Sequence, residues 1–78
     1  HMPSEKITLD GDINILDLLV KVNLFTSKSE ARRNVEQGGV TINDEKVIDP
    51  NMLITKNHFK NNFMVIKKGK KTFLKVEI

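Results

Sequence analysis

The fold is decided by the stretch TSKSEARR at residues 26–33, which is followed by QGGV at residues 37–40. Ser27 and Glu30 form an S-x-x-E capping box, in which two side chains satisfy free backbone amides of the first helical turn. One of the two adjacent glycines can adopt the left-handed conformation that ends many helices. The stretch therefore predicts a helix from about residue 28 to residue 37, followed directly by a β-strand.

The same helix carries many cations for its length. Lys28, Arg32 and Arg33 lie within about three turns, on a helix whose apolar stripe is narrow. The planar arginine fork suits bidentate recognition of phosphate, whereas lysine acts as a point charge. These residues predict a surface that contacts phosphates. The alternative is a solvated surface on which Arg32 pairs with Glu36 one turn further on.

The flanking sequence predicts a helix before this stretch and a hairpin after it. Asn14 is a typical N-cap with Asp17 in the capping-box position, and apolar residues at helical spacing predict a first helix from about residue 15 to residue 22. Alternation over residues 40–48, with Asn43 in the turn, predicts the β-hairpin.

The remainder of the chain ends in a second predicted hairpin. Residues 51–62 show no clear pattern, although Leu53 and Ile54 could form a short strand. The rest of that segment is predicted to be a polar loop in which His58 is solvated. Two alternating segments, 63–67 and 72–78, predict a hairpin with a lysine-rich turn.

Composition excludes several classes of function. The chain has 78 residues and no cysteine, so neither disulfides nor a thiolate zinc site can stabilise it. Because it shows no paired carboxylates, nucleophile–base set or glycine-rich phosphate loop, we predict a non-catalytic domain with no metal and no cofactor. Its apolar runs are too short to span a membrane, and no signal peptide is visible, so we expect a cytoplasmic protein.

The first two residues are typical of a cloning scar left by tag removal. Residues 3–78 are therefore predicted to form one domain, taken from a longer protein.

The net charge of +3 is unevenly distributed along the chain: −3 over residues 1–19, zero over 20–55 and +6 over 56–78. A basic C-terminal third beside a basic helix is typical of a protein that binds a phosphate backbone. A lysine-rich surface that serves only solubility is the alternative.

Two short helices and a glycine stop leading into a hairpin resemble the S4-type RNA-binding domain, or alpha-L motif. The residues that carry this resemblance are 27–33, 38–40 and 42–47. The lysine-rich closing hairpin and the double glycine resemble the C-terminal domain of bacterial tyrosyl-tRNA synthetases. The sequence departs from the family at Asp44, where glycine is usual, so a looser turn is expected.

The resemblance implies an α+β fold, with two short packed helices followed by a small, mostly antiparallel sheet and a C-terminal hairpin. It implies a tRNA-binding domain that contacts tyrosine tRNA near the long variable arm and the anticodon stem. The isolated domain is expected to be monomeric and its parent, a tyrosine–tRNA ligase, homodimeric. Two alternatives stay open: an S4 domain that binds ribosomal RNA, and a protein-interaction adaptor that uses a strand edge.

The candidate RNA-binding residues belong to the second helix, the first hairpin and the lysine-rich turn. They are Ser27, Lys28, Ser29, Arg32, Arg33, Gln37, Thr41, Asn43, Lys46, Lys68, Lys70 and Lys71. The turn alone would explain Asn43, and solvation alone would explain the lysines of the second hairpin. Phe73 either packs against the domain or stacks on a base.

Overall fold

The computed structural model describes residues 3–78, and the expected cloning scar at residues 1–2 lies outside the described residues. Two helices and two β-sheets make up the domain. The elements are β1 (Ser4–Lys6), β2 (Ile13–Asn14), α1 (Ile15–Lys21), α2 (Lys28–Glu36), β3 (Val40–Ile42), β4 (Glu45–Val47), β5 (Leu53–Ile54), a 3-10 helix (Lys56–His58), β6 (Phe63–Lys68) and β7 (Thr72–Glu77). The predicted α+β class with a C-terminal hairpin is confirmed.

The larger sheet has five strands in the order β1-β7-β6-β3-β4. All its pairs are antiparallel except β1 with β7, which run parallel. The sequence did not predict β1, because Ser4, Glu5 and Lys6 are all exposed and show no apolar alternation. Parallel pairing to a strand at the other end of the chain makes β1 an edge strand, and only the folded chain brings the two together.

The first helix begins as predicted and ends one residue early, at Lys21. The Asn14 side chain caps it, since its Oδ1 accepts the Leu16 amide at 2.9 Å. The expected partner of that cap behaves differently: the Asp17 carboxylate forms an ion pair with Lys28 of α2. Asp17 therefore links the two helices rather than closing a capping box.

The second helix shows half of the predicted capping box. Ser27 Oγ accepts the Glu30 amide at 3.2 Å. The Glu30 carboxylate instead accepts a hydrogen bond from the Thr26 hydroxyl, also at 3.2 Å. The helix ends at Glu36 with Gln37 as its C-cap, and Gly38, at φ +75°, is the glycine that takes the left-handed conformation.

The hydrophobic core lies between the two helices and one face of the five-stranded sheet. Fully buried helix residues, among them Leu18, Ala31 and Val35, pack on alternate sheet residues such as Ile66 and Val76. In the last strand, Leu74 and Val76 point into this core by the two-residue alternation. The same alternation points the intervening β6 and β7 side chains to the other face, which the helices leave uncovered.

The segment 51–62 is more ordered than its sequence indicates. The predicted short strand, β5, pairs with β2. The expected polar loop contains a 3-10 turn, capped where Thr55 Oγ1 accepts the Asn57 amide at 3.1 Å. His58 is half-buried, and its Nδ1 accepts the Thr55 amide at 3.0 Å. The prediction of a solvated histidine was therefore wrong, because this ring completes a local cap.

The first hairpin turns tightly in spite of Asp44. Asn43 and Asp44 have φ of 51° and 71°, the two positive values that a two-residue hairpin turn of this type requires. The Asn43 side chain secures the turn from outside: its Oδ1 accepts the Val65 amide at 3.0 Å and its Nδ2 donates to the His58 carbonyl at 2.7 Å. The expected loosening is not observed, since these bonds hold the turn against β6.

Candidate nucleic-acid interface

The outward face of α2 carries polar side chains at intervals of four residues. Ser29, Arg33 and Gln37 are all exposed, whereas Ala31 and Val35 on the other side of the helix are fully buried. Residues four apart lie above one another on a helix, so these three side chains form one row facing solvent. The row offers a guanidinium flanked by a hydroxyl and an amide.

Two further cations of α2 have carboxylate partners. Lys28 is paired with Asp17, and Arg32 Nε lies 3.7 Å from Glu36 Oε2. Both pairs are open to water, with side-chain exposures of 66% and 42% in the first and 62% and 53% in the second. Exposed pairs of this kind contribute only about 0–1 kcal/mol, so a phosphate can compete for either cation.

Arg33 differs from its neighbour. Within residues 3–78, no carboxylate lies within ion-pair distance of its guanidinium. Arg33 also points directly away from the buried stripe of the helix. It is therefore the cation of α2 whose charge is least compensated inside the domain.

The N-terminus of α2 has the free amides that favour anions, but its surroundings make it a weak anion site. Ser27 Oγ already occupies the Glu30 amide, and the Glu30 carboxylate lies in the same turn, bonded to Thr26. The amides of Lys28 and Ser29 belong to the first turn, where helical donors lack intrahelical partners. An approaching phosphate would find these donors beside a fixed negative charge.

The tip of the second hairpin lies against the C-terminal end of α2. The Gly69 amide donates a hydrogen bond of 2.8 Å to the Gly39 carbonyl. Lys70 and Lys71 follow Gly69 directly and are exposed. The hairpin tip, with its two exposed lysines, therefore lies beside the C-terminal end of α2.

Lys46 approaches the same place from the first hairpin. Its aliphatic chain runs along Gly38, where a Cβ atom would lie 3.2 Å from Lys46 Cδ and 3.6 Å from its Nζ. Thr41, directly opposite Lys46 in β3, is half-buried. A cation at the end of a helix also interacts favourably with the helix dipole, which gives Lys46 a structural role.

Two predicted residues have their polar groups engaged inside the fold. Lys68 Nζ donates to the Leu24 carbonyl at 2.9 Å and lies 4.5 Å from the centre of the Phe25 ring. Both polar groups of the Asn43 amide bond to the backbone of neighbouring segments. The structure thus gives these two side chains architectural roles, and we leave both out of the proposed RNA surface.

The aromatic residues on the sheet face that carries no helix are not among the predicted RNA-binding set. Phe73 is 39% exposed there, with Lys67 Nζ at 5.5 Å from its ring centre. Lys75 Nζ lies 4.6 Å from the centre of the Phe63 ring on the same face. The two-residue alternation of β6 and β7 could have indicated this grouping, but only the sheet order shows that the face is uncovered.

Other kinds of site are not found among residues 3–78. No group of three or more histidine, cysteine, aspartate or glutamate side chains there could hold a metal ion. No helix in the described part of the chain is long and apolar enough to cross a membrane.

The family model for the tyrosine–tRNA ligase SYY-like C-terminal domain matches residues 1–76. The chain belongs to this family. The resemblance predicted from the helix, the glycine stop and the closing hairpin is therefore confirmed, and the basic surface described above is part of a domain of this type.

Related full-length proteins agree with this assignment. The chain is 43% identical to a tyrosine–tRNA ligase of Acetivibrio thermocellus, 44% to one of Clostridium botulinum and 47% to one of Clostridium tetani. Each comparison covers 100% of this chain but only 19% or 20% of the relative. The chain thus spans about a fifth of the length of the ligases it matches.

Proposed function

We propose that this domain binds tRNA, and specifically tyrosine tRNA, on the surface formed by α2 and the lysine-rich hairpin. Its contacts would fall near the long variable arm and the anticodon stem, as the resemblance implies. The domain would act as a non-catalytic part of a longer tyrosine–tRNA ligase, with the residues from 3 to 78 folding as one unit. The full protein is proposed to be a cytoplasmic homodimer that attaches tyrosine to its tRNA.

The contact between Gly69 and Gly39 is the observation that carries this proposal. The 2.8 Å hydrogen bond places the hairpin tip at the end of α2. It sets Lys70 and Lys71 beside the end of the helix that carries Lys28, Arg32 and Arg33, which supports the proposal that both groups of cations contact the same RNA. Phosphate-backbone binding depends on several cations that reach the same nucleic acid, and a joined surface supplies them.

The proposed surface comprises most of the residues predicted from sequence. Its members are Ser27, Lys28, Ser29, Arg32, Arg33, Gln37, Thr41, Lys46, Lys70 and Lys71. Arginine and lysine would contact phosphates, while Gln37 and Thr41 would reach sugar or base edges. The relatives named as tyrosine–tRNA ligases favour tRNA over ribosomal RNA as the partner.

A salt titration tests the proposal. The domain is titrated against a tyrosine tRNA transcript and against a tRNA with a short variable arm, with complex formation followed by fluorescence anisotropy of labelled RNA. With roughly three to five phosphate contacts, the slope of log affinity against log salt should be about −2 to −4. We expect tighter binding to tyrosine tRNA than to the other tRNA.

A matched pair of double variants locates the surface. Arg32→Ala with Arg33→Ala should weaken binding, whereas Lys6→Ala with Lys56→Ala removes the same charge from a separate hollow beside β1 and should have little effect. Equal losses in both variants, or binding that does not depend on salt, would contradict the proposal. Tighter binding to a ribosomal RNA hairpin, or salt-resistant binding to a protein, would favour the alternatives.

A further inference from the structure

We propose that the helix-free face of the five-stranded sheet is a second RNA-contacting surface, on which unpaired bases stack against Phe63 and Phe73. This inference rests on the proposed function, because it names a further part of the same RNA that the domain would contact. It adds single-stranded nucleotides to the phosphate backbone as the chemistry that the domain recognises. It also assigns a role to two aromatic residues that the α2 surface does not use.

The position of the two rings follows from the alternation of β6 and β7. Met64, Ile66 and Val76 point into the core and are fully buried. Their neighbours Phe63 and Phe73 point to the opposite face, where Phe63 is half-buried and Phe73 is 39% exposed. A phenylalanine that only filled the core would be covered, whereas these rings form part of an open sheet surface.

The face forms a shallow concavity rather than a flat sheet. Phe63, Val65 and Phe73 line it together with the first hairpin turn and with Lys60 and Asn61. The cavity has a volume of about 540 Å³, within the roughly 300–1,000 Å³ of small-molecule sites. Two apolar rings beside an open, partly polar hollow provide stacking surface for flat ligands.

Each ring has an ammonium group beside it. Lys75 Nζ lies 4.6 Å from the centre of Phe63, and Lys67 Nζ lies 5.5 Å from the centre of Phe73. Lys67 also lies directly opposite Thr41, which in turn pairs with Lys46, so this face continues into the surface proposed above. Cation–π contacts at exposed sites are weak, so either ammonium can leave its ring for a stronger partner.

A nucleotide matches this pairing of ring and cation. Its base offers a flat π-surface to phenylalanine, and its phosphate offers a charge to lysine, the combination found in proteins that bind single-stranded nucleic acids. The charged residues that line the hollow are Lys60 and Asp44. Lys67 and Lys75 lie beside the two rings, and Lys75 Nζ is also 3.5 Å from Glu77 Oε1. Three lysines against two carboxylates on this face favour an anionic partner. A paired base in a stem cannot offer its face, so the partner would be a loop or another unpaired segment.

The absence of tryptophan and tyrosine makes a direct fluorescence test possible. The chain contains no tryptophan and no tyrosine, so Phe73→Trp introduces a single fluorophore at the proposed stacking site. We expect tyrosine tRNA to quench its emission as a base stacks on the indole. Leu53→Trp is the control, because Leu53 is 53% exposed but lies on the separate two-stranded sheet. Its emission should not change.

Affinity gives a second readout. Phe73→Leu should weaken binding to tyrosine tRNA by roughly 5- to 100-fold, since stacking depends on the aromatic ring. Phe73→Tyr keeps the ring and should bind as tightly as the original chain. If Phe73→Trp binds the RNA with unchanged emission and Phe73→Leu binds as tightly as the original chain, the stacking surface is refuted while the proposed function stands. If the original chain binds no RNA at all, both proposals fail.

Discussion

Lys68 donates a hydrogen bond of 2.9 Å from its Nζ to the carbonyl oxygen of Leu24, in the loop between the two helices. The same ammonium lies 4.5 Å from the centre of the Phe25 ring. A lysine from the C-terminal hairpin thus fastens the helical layer to the sheet. Its neighbours at the hairpin tip are exposed, so adjacent lysines of one short turn serve different purposes.

We expect Lys68→Ala to destabilise the domain by about 1–2 kcal/mol, because it removes a charge-assisted hydrogen bond and a cation–π contact. Lys70→Ala, at an exposed position, should change the free energy of unfolding by no more than about 0.5 kcal/mol. Thermal or urea unfolding of the two variants provides the comparison. Equal stabilities would show that the Lys68 contact contributes nothing to the fold.

The exposed lysines of the tip should affect binding and not stability. Lys70→Ala with Lys71→Ala is expected to weaken tRNA binding and to make the slope of log affinity against log salt shallower by about 1–2, since each phosphate contact contributes roughly one unit. The double variant Lys6→Ala with Lys56→Ala is the control of equal charge. An unchanged slope in the Lys70 and Lys71 variant would place the hairpin tip outside the RNA contact.

The ion pair between Arg32 and Glu36 can be tested from its acidic side. Glu36→Gln should raise tRNA affinity by about 2- to 5-fold, because it releases the Arg32 guanidinium and removes a negative charge from the surface. The free energy of unfolding should change by less than about 0.5 kcal/mol. Glu5→Gln, on the exposed edge strand, removes one charge elsewhere and serves as the control. If both variants change the affinity equally, the ion pair with Glu36 does not reduce the binding of RNA by Arg32.

The first hairpin turn should respond to substitution according to its positive φ angles. Asn43→Ala is expected to lower the free energy of unfolding by about 2–3 kcal/mol, since it loses both side-chain hydrogen bonds and strains a left-handed backbone. Asn43→Gly loses only the bonds and should be about 1 kcal/mol less destabilising. Urea unfolding measures the stability of both variants. Equal losses of stability would show that the positive φ angle at this position has no energetic effect.

At the next position, Asp44, a substitution is expected to stabilise the domain rather than destabilise it. Its φ of 71° is one that glycine adopts without steric cost, so Asp44→Gly should stabilise the domain by about 0.5 kcal/mol. The gain is small because glycine also increases the entropy of the unfolded chain. A loss of stability would mean that the aspartate side chain makes a contribution of its own to the turn.

Local chemistry allowed much of the fold to be predicted. The caps at Asn14 and Ser27 mark the helix starts, because a side-chain oxygen bonds to an amide only two or three residues away. The buried face of β7 follows from alternation, which depends on backbone geometry alone. Asp17 and Glu30 were wrongly placed in capping boxes, since their carboxylates found partners that the local pattern does not reveal.

The candidate site divides in the same way. The identity and spacing of the α2 cations, the glycine stop and the lysine-rich turn can be read from the sequence, because each lies within a few residues of its neighbours. The sequence by itself therefore determined the family and the helix and hairpin pattern. It left open which of the twelve predicted residues face the same partner.

Only the tertiary structure decided how those pieces combine. The bond from Gly69 to Gly39 places the lysine-rich tip beside the end of α2, and the bond from Lys68 to Leu24 engages one lysine inside the fold. The order of strands leaves Phe73 on an uncovered face. These contacts connect residues some thirty or more positions apart in the chain. They depend on packing across the whole core, which local pattern and propensity do not encode.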